Sequence, residues 1–104
     1  MNTAAAIFDE AERLTGVSVA RLKGEDCSTN AVRARWAVIW AIREKWGYGG
    51  SRLGKIASRD PSSICYALKR AENLRETDLE FRRLCNFLEA VGVDSLAGSG
   101  EGAG

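Results

Sequence analysis

The fold is decided by the stretch Ser51-Arg-Leu-Gly-Lys-Ile-Ala-Ser-Arg-Asp-Pro-Ser-Ser-Ile-Cys-Tyr-Ala-Leu-Lys-Arg70. It predicts two helices joined by a tight turn, because Asp60 can cap the second helix and Pro61 suits a first position that needs no N–H. The apolar face of that helix is Ile64, Ala67, Leu68, Ala71 and Leu74, and the polar face is Ser62, Ser63, Tyr66, Lys69, Arg70 and Asn73. Small hydroxyls followed by cations are typical of a helix that enters a nucleic-acid groove.

Length and composition favour one domain without enzymatic chemistry. The 104 residues contain no apolar run of the roughly 20 residues that a membrane span needs, and the first residues do not resemble a signal peptide, so a cytoplasmic protein is expected. No histidine is present, which excludes His-based acid–base catalysis and Cys/His zinc sites. No catalytic residues, metal site or cofactor is therefore predicted.

The cysteines predict reduced thiols. Cys27, Cys65 and Cys85 are far apart and odd in number, which argues against a disulfide framework. Cys65 lies about one turn into the second predicted helix, where burial is favoured over a reactive thiolate.

Positive charge is concentrated in the middle of the chain. The net charge is only +1, but residues 28–70 hold nine cations against two anions, so this segment is +7 and the remainder is −6. The excess coincides with the predicted two-helix unit, and this favours a nucleic-acid-binding surface over an ordinary solvated face.

The rest of the sequence predicts further helices around a central one. The first carries Leu14 on its apolar face and is closed by Gly16, and a short helix follows Ser18. The longest begins at Thr29 or Asn30 and ends near Trp46. Its run Trp36–Ile42 is apolar all round, so both Trp36 and Trp40 are expected in the core.

Two further caps complete the predicted architecture. Ser51 is expected to cap the first helix of the two-helix unit, and Thr77-Asp-Leu-Glu80 matches a capping box before a last helix that Gly92 stops. The fold class is thus all-α with about six helices. One domain is expected over residues 1–94, and the Gly/Ser-rich residues 95–104 are expected to form a disordered tail.

The order of motifs resembles the C-terminal DNA-binding domain of the bacterial replication initiator DnaA, a helix-turn-helix fold of the Trp-repressor-like class. The resemblance covers some four-fifths of the chain, as if that domain stood alone. The matching pieces are Gly16-Val-Ser-Val-Ala-Arg-Leu22, Arg33-Ala-Arg35, Leu53-Gly54, Arg59-Asp-Pro-Ser-Ser-Ile64 and Ala67-Leu-Lys-Arg-Ala-Glu-Asn-Leu74. No Gly-x-x-x-x-Gly-Lys-Ser/Thr segment is present, so no nucleotide cofactor is implied.

The resemblance implies a recognition helix over about residues 61–75 and assigns its contacts. The expected base-contacting residues are Ser51, Asp60, Pro61, Ser62 and Ser63. The expected phosphate-contacting residues are Arg35, Arg43, Arg59 and Lys69, to which the outward polar positions add Lys55, Tyr66 and Arg70.

Three departures from the family predict a different target. Pro61 stands in place of a histidine, and Ser62 and Ser63 lack the methyl groups of threonine. Glu25-Asp-Cys27 replaces a basic loop that enters the minor groove in the family, and carboxylates there are repelled by phosphate.

Two functions follow as expectations. The first is sequence-specific binding of double-stranded DNA by a small replication or transcription regulator at the bacterial nucleoid. A phage or mobile element is one origin considered for such a regulator, and a homodimer or a protein partner is one form of assembly. The alternative is a protein-interaction module that retains the fold, whose acidic Glu25-Asp26 loop and amphipathic outer helices bind a protein partner.

Overall fold

The computed structural model describes residues 4–25 and 27–91, which fold into six helices with no strand among them. The all-α architecture with a two-helix unit is confirmed. The helices are α1 (Ala4–Thr15), α2 (Val19–Lys23), α3 (Thr29–Trp46), α4 (Gly50–Ala57), α5 (Pro61–Thr77) and α6 (Leu79–Glu89).

Helix α3 is the centre of the fold and packs against each of the other five helices. Its middle is buried on all sides, as the apolar run predicted, and Trp40 lies in the core. Trp36 differs, because it is only half-buried at the edge of the core. The large side chains that pack around α3 include Ile7, Phe8, Leu22, Leu53, Ile64, Phe81 and Leu88.

Helix ends follow local chemistry in most places. Ser18 and Ser28 accept hydrogen bonds from the backbone N–H three residues on and so cap α2 and α3. Gly16 and Gly47 have positive φ, 78° and 69°, which lets the chain leave α1 and α3 in the left-handed conformation.

Three sequence expectations about helix ends and faces are wrong. Helix α4 begins at Gly50 behind Gly49, so Ser51 lies inside the first turn and does not cap it. Thr77 is the last residue of α5, and its hydroxyl donates to the Asn73 carbonyl at 3.1 Å. Asp78 caps α6 instead, since a single residue separates the two helices. Leu14 is 38% exposed, because it lines an open cleft with Phe81 and Leu84 and is not enclosed by the core.

The connection between α4 and α5 is tight. Ser58 takes up the left-handed conformation at φ 61°, and the Arg59 N–H donates to the Gly54 carbonyl at 2.7 Å. A Cβ on Gly54 would overlap the Arg59 carbonyl oxygen, so only glycine allows the turn to fold back on α4. The turn therefore fixes how α5 leaves α4.

None of the helices within residues 4–25 and 27–91 has the length and apolar content of a membrane span. Asp26, Gly92 as the predicted stop of the last helix and the predicted tail 95–104 lie outside the described residues.

Candidate nucleic-acid interface

The start of α5 is organised by Asp60. Its Oδ1 accepts from the Ser63 N–H at 3.3 Å, and its Oδ2 accepts from the Ser62 hydroxyl at 2.8 Å. Hydrogen bonds from Ser63 and, next in size, from Ser62 hold the pKa of Asp60 below its ordinary value. Three of the predicted base-contacting residues thus form one hydrogen-bonded group around an ionised carboxylate.

The outward surface of α5 has a polar stripe at its centre. At about 100° per residue, positions 62, 66, 69 and 73 fall within a narrow arc opposite the buried Ile64 and Ala71. All four side chains are exposed, and Tyr66 is 59% exposed. This α5 stripe consists of Ser62, Tyr66, Lys69 and Asn73.

One flank of the α5 stripe is an aromatic cleft against α3. The Tyr66 ring meets Trp36 edge-on with centroids 6.1 Å apart, and the Arg70 guanidinium lies 5.5 Å from the Trp36 ring centroid. The cleft has a volume of about 270 Å³ and is also lined by Ser62 and Ser63. These contacts with Trp36 fix the orientation of the Tyr66 and Arg70 side chains at the edge of α5.

The other flank joins α5 to the start of α4. A methyl on Gly50 would stand 3.8 Å from the Pro61 Cβ, so the first turn of α4, which contains Ser51, contacts the start of α5. Arg43 and Lys69 line a common cleft of about 320 Å³ here with Pro61. The structure therefore brings these predicted residues together from three helices.

Two further cations extend this flank along α4. Lys55 is exposed one turn after Ser51 and on the same face of α4. Arg52 was not among the predicted site residues. Its guanidinium carbon lies 4.0 Å from the centroid of the Tyr48 ring. Tyr48 in turn stacks on Trp46 at 5.8 Å. The excess of cations was the only signal in the sequence for Arg52.

Asn73 and Trp36 were also absent from the predicted site. Asn73 shares the helical face of Ser62 and Tyr66, and spacing alone would have identified it. Trp36 was assigned to the core by its apolar neighbours, whereas its contacts with Tyr66 and Arg70 place it at the rim of the site.

The structure does not favour the predicted contact between Arg35 and phosphate. Its side chain is buried, with only 6% exposed, because its position on α3 faces α2. Its Nε donates to the Leu22 carbonyl at 2.7 Å, and its Nη2 donates to the Arg21 carbonyl at 3.1 Å. Arg35 instead satisfies carbonyls at the end of a short helix.

Arg59 has a similar role on the surface. Its guanidinium donates to the carbonyls of Gly24, Lys23 and Ser58, the last two at 3.4 Å and 3.0 Å. The side chain is half-exposed, so contact with a phosphate stays a prediction, but its donors are already directed at the end of α2.

The three cysteines are free, as predicted, but the exposure of Cys65 differs from the expectation. Cys65 is exposed, not buried, because it faces the cleft beside Pro61 and Lys69. Cys85 is buried, and burial raises its pKa to about 12. Within the described residues no group of three or more His, Cys, Asp or Glu side chains could hold a metal ion.

Compared with the models of known protein families and with curated proteins, the chain gives no match. The resemblance to the initiator domain therefore stays a prediction.

Proposed function

We propose that this protein binds double-stranded DNA by inserting the first turns of α5 into the major groove. The observation that carries the proposal is the α5 stripe, which is polar, exposed and follows a capped helix start held by a tight turn. Short polar side chains near a helix N-terminus can approach base edges, while cations beside the helix meet phosphates.

Sequence would be read at the start of α5. The hydroxyls of Ser62 and Ser63 can donate to or accept from base edges, and the free lone pairs of Asp60 can accept from a cytosine amino group. Pro61 offers an apolar surface to a thymine methyl. Ser51 lies in the first turn of α4, whose first residue, Gly50, adjoins Pro61.

The duplex backbone would be held on both flanks. Arg43, Lys55 and Lys69 supply cations on the α4 side, and Arg70 supplies one on the Trp36 side. The Tyr66 hydroxyl adds a neutral donor. Because each neutralised phosphate contributes roughly 0.9 to the log–log salt slope, four cations predict a slope of roughly −3 to −4.

The deciding experiment is selection of bound duplexes from a random library, followed by titration of the enriched sequence at several salt concentrations. We expect one enriched motif and the salt slope given above. A palindromic motif would indicate a homodimer, because two-fold symmetric proteins read symmetric sites. No enrichment together with a flat salt response would contradict the proposal.

A protein with this activity fits a small regulator of replication or transcription that acts at the bacterial nucleoid in the cytoplasm. This part of the proposal rests on the resemblance to the initiator domain. Chromosome-wide mapping of bound sites tests it, since sites at replication origins or at promoters distinguish the two roles.

A second function is favoured by the outer surface of α6. Phe87 and Leu79 are 62% and 57% exposed, and Phe87 lines an open cleft of about 570 Å³ with Arg83, Asn86 and Ala90. Large exposed apolar side chains are a common feature of protein-binding surfaces. A partner that is captured after nuclease treatment, lost in Phe87→Ser and kept in the Ser62→Ala/Ser63→Ala double variant would support this function.

A further inference from the structure

The end of α2 is held by two arginines from different parts of the fold. Arg35 reaches it from α3, and Arg59 reaches it from the turn between α4 and α5. The Gly24 carbonyl accepts from both guanidinium groups, with Arg35 at 3.4 Å. Cations at a helix C-terminus satisfy its orphan carbonyls and interact favourably with its dipole.

These hydrogen bonds link the segment that begins at Glu25 to the turn between α4 and α5. Glu25 directly follows the tethered Gly24 and is exposed, and Asp26 is the next residue in the sequence. On the other side of the tether, Arg59 directly precedes Asp60, the cap of α5. The hydrogen bond from Arg59 to the Gly24 carbonyl therefore connects the residue before Glu25 to the residue before the α5 cap.

We infer that Arg59 is a positioning residue, which holds Glu25 beside the start of α5 so that the negative charge of Glu25 weakens binding to every duplex. The inference rests on the proposed function. Repulsion between a carboxylate and phosphates does not depend on base sequence, so it lowers non-specific affinity and leaves discrimination to the start of α5. Glu25 then lowers the overall affinity for duplexes without touching a base and without changing the preference between sequences.

The test in the presence of DNA is a double-mutant cycle of Glu25→Gln and Arg59→Gln on a labelled duplex of mixed sequence. Glu25→Gln is expected to tighten binding by about threefold to tenfold at low salt and to steepen the salt slope by up to about 0.9. In the Arg59→Gln background the same change is expected to alter binding by less than about twofold. Equal fold-changes in both backgrounds would overturn the inference, because independent charges act additively.

Arg59→Lys provides the conservative variant. Lysine keeps the charge but cannot donate to several carbonyls at once, so the effect of Glu25→Gln should fall between those in the two other backgrounds. If Arg59→Gln does not fold, the effect of Glu25→Gln on affinity is compared between wild type and Arg59→Lys. An equal effect in both would contradict the positioning role of Arg59.

An arm without DNA separates this inference from the proposed function. The Gly24 N–H donates to the Arg21 carbonyl at 3.3 Å, so its hydrogen exchange reports on the end of α2. We expect exchange at Gly24 to be at least about tenfold faster in Arg59→Gln than in wild type, with core amides of α3 unchanged. If hydrogen exchange at Gly24 is unchanged, Arg59 does not hold the end of α2 and the inference is wrong. If exchange is faster but the protein binds no duplex, the role of Arg59 stands and only the proposed DNA binding is contradicted.

Discussion

The outward faces of α5 and α6 differ although both helices pack on α3 and on each other. The face of α5 carries hydroxyls, an amide and cations beside the rings of Tyr66 and Trp36. The face of α6 carries Leu79 and Phe87 beside Arg82 and Arg83. The core does not require either pattern, because both faces point away from it. The composition of an outward face is therefore informative about a partner, and the difference between the two faces is the basis of the two functions that we propose.

The largest expected effect comes from reversing adjacent charges on the two helices. Lys69→Glu/Arg70→Glu should weaken binding to any duplex by at least about 100-fold at low salt, because two attractive phosphate contacts become repulsive. The matched control is Arg82→Glu/Arg83→Glu, which makes the same change in net charge on α6 and should weaken binding by less than about threefold. Fluorescence anisotropy with a labelled duplex measures both. Equal losses would mean that net charge, not the face of α5, governs binding.

The next effect is on the attachment of α5. Gly54→Ala should lower the free energy of unfolding by about 2–4 kcal/mol, because the added methyl overlaps the Arg59 carbonyl oxygen in the turn. Gly50→Ala is the control, since a methyl there meets Pro61 at an ordinary contact distance of 3.8 Å. Urea unfolding measures the two free energies. A Gly54→Ala protein as stable as Gly50→Ala would show that the turn can relax without cost.

The sequence could predict those residues of the site whose role depends on neighbours a few positions away in the chain. The cap by Asp60, the first-turn Pro61 and the polar face of α5 follow from residues a few positions apart, so the sequence identified them. The burial of Arg35 was not predicted because it depends on carbonyls at the end of α2, 11 to 14 residues away along the chain. Periodicity does not indicate such a partner, and arginine is seldom fully buried unless paired.

The capping error at α6 has a different cause. Thr77 and Asp78 are both acceptable N-cap residues, and spacing to Glu80 favoured Thr77. The choice was decided by tertiary packing, because α5 stays helical through Thr77 and leaves Asp78 as the single link to α6. Asp78 also pairs with Arg33 of α3, a partner 45 residues away.

The two caps should respond differently to pH and salt. The pKa of Asp60 is lowered by neutral hydroxyl and amide donors, whereas that of Asp78 is lowered first by its hydrogen bond from Arg33 and then by the Phe81 amide. A lowered folded-state pKa means stability that is present above the unfolded value, about 3.9, and is lost as pH falls through the folded value.

We therefore expect Asp78→Ala to lower the melting temperature more than Asp60→Ala at pH 7 and low salt, with both differences shrinking below about pH 4. High salt should reduce the effect of Asp78→Ala and leave that of Asp60→Ala nearly unchanged, since only the former loses an ion pair. Thermal unfolding followed by circular dichroism measures both. Identical salt responses would contradict the distinction between the two caps.

The smallest expected effect on the fold is at the face of α6. Phe87→Ser should change the free energy of unfolding by no more than about 0.5 kcal/mol and leave duplex affinity unchanged, because the ring is mostly exposed and lies away from the α5 stripe. Phe81→Ser, on the buried face of the same helix, should cost several kcal/mol, roughly the 3–5 kcal/mol of a buried aromatic truncation. If Phe87→Ser destabilised the protein as strongly as Phe81→Ser, the face of α6 would belong to the core. A large change in duplex affinity would instead place α6 in the DNA interface and remove the basis for a separate protein partner.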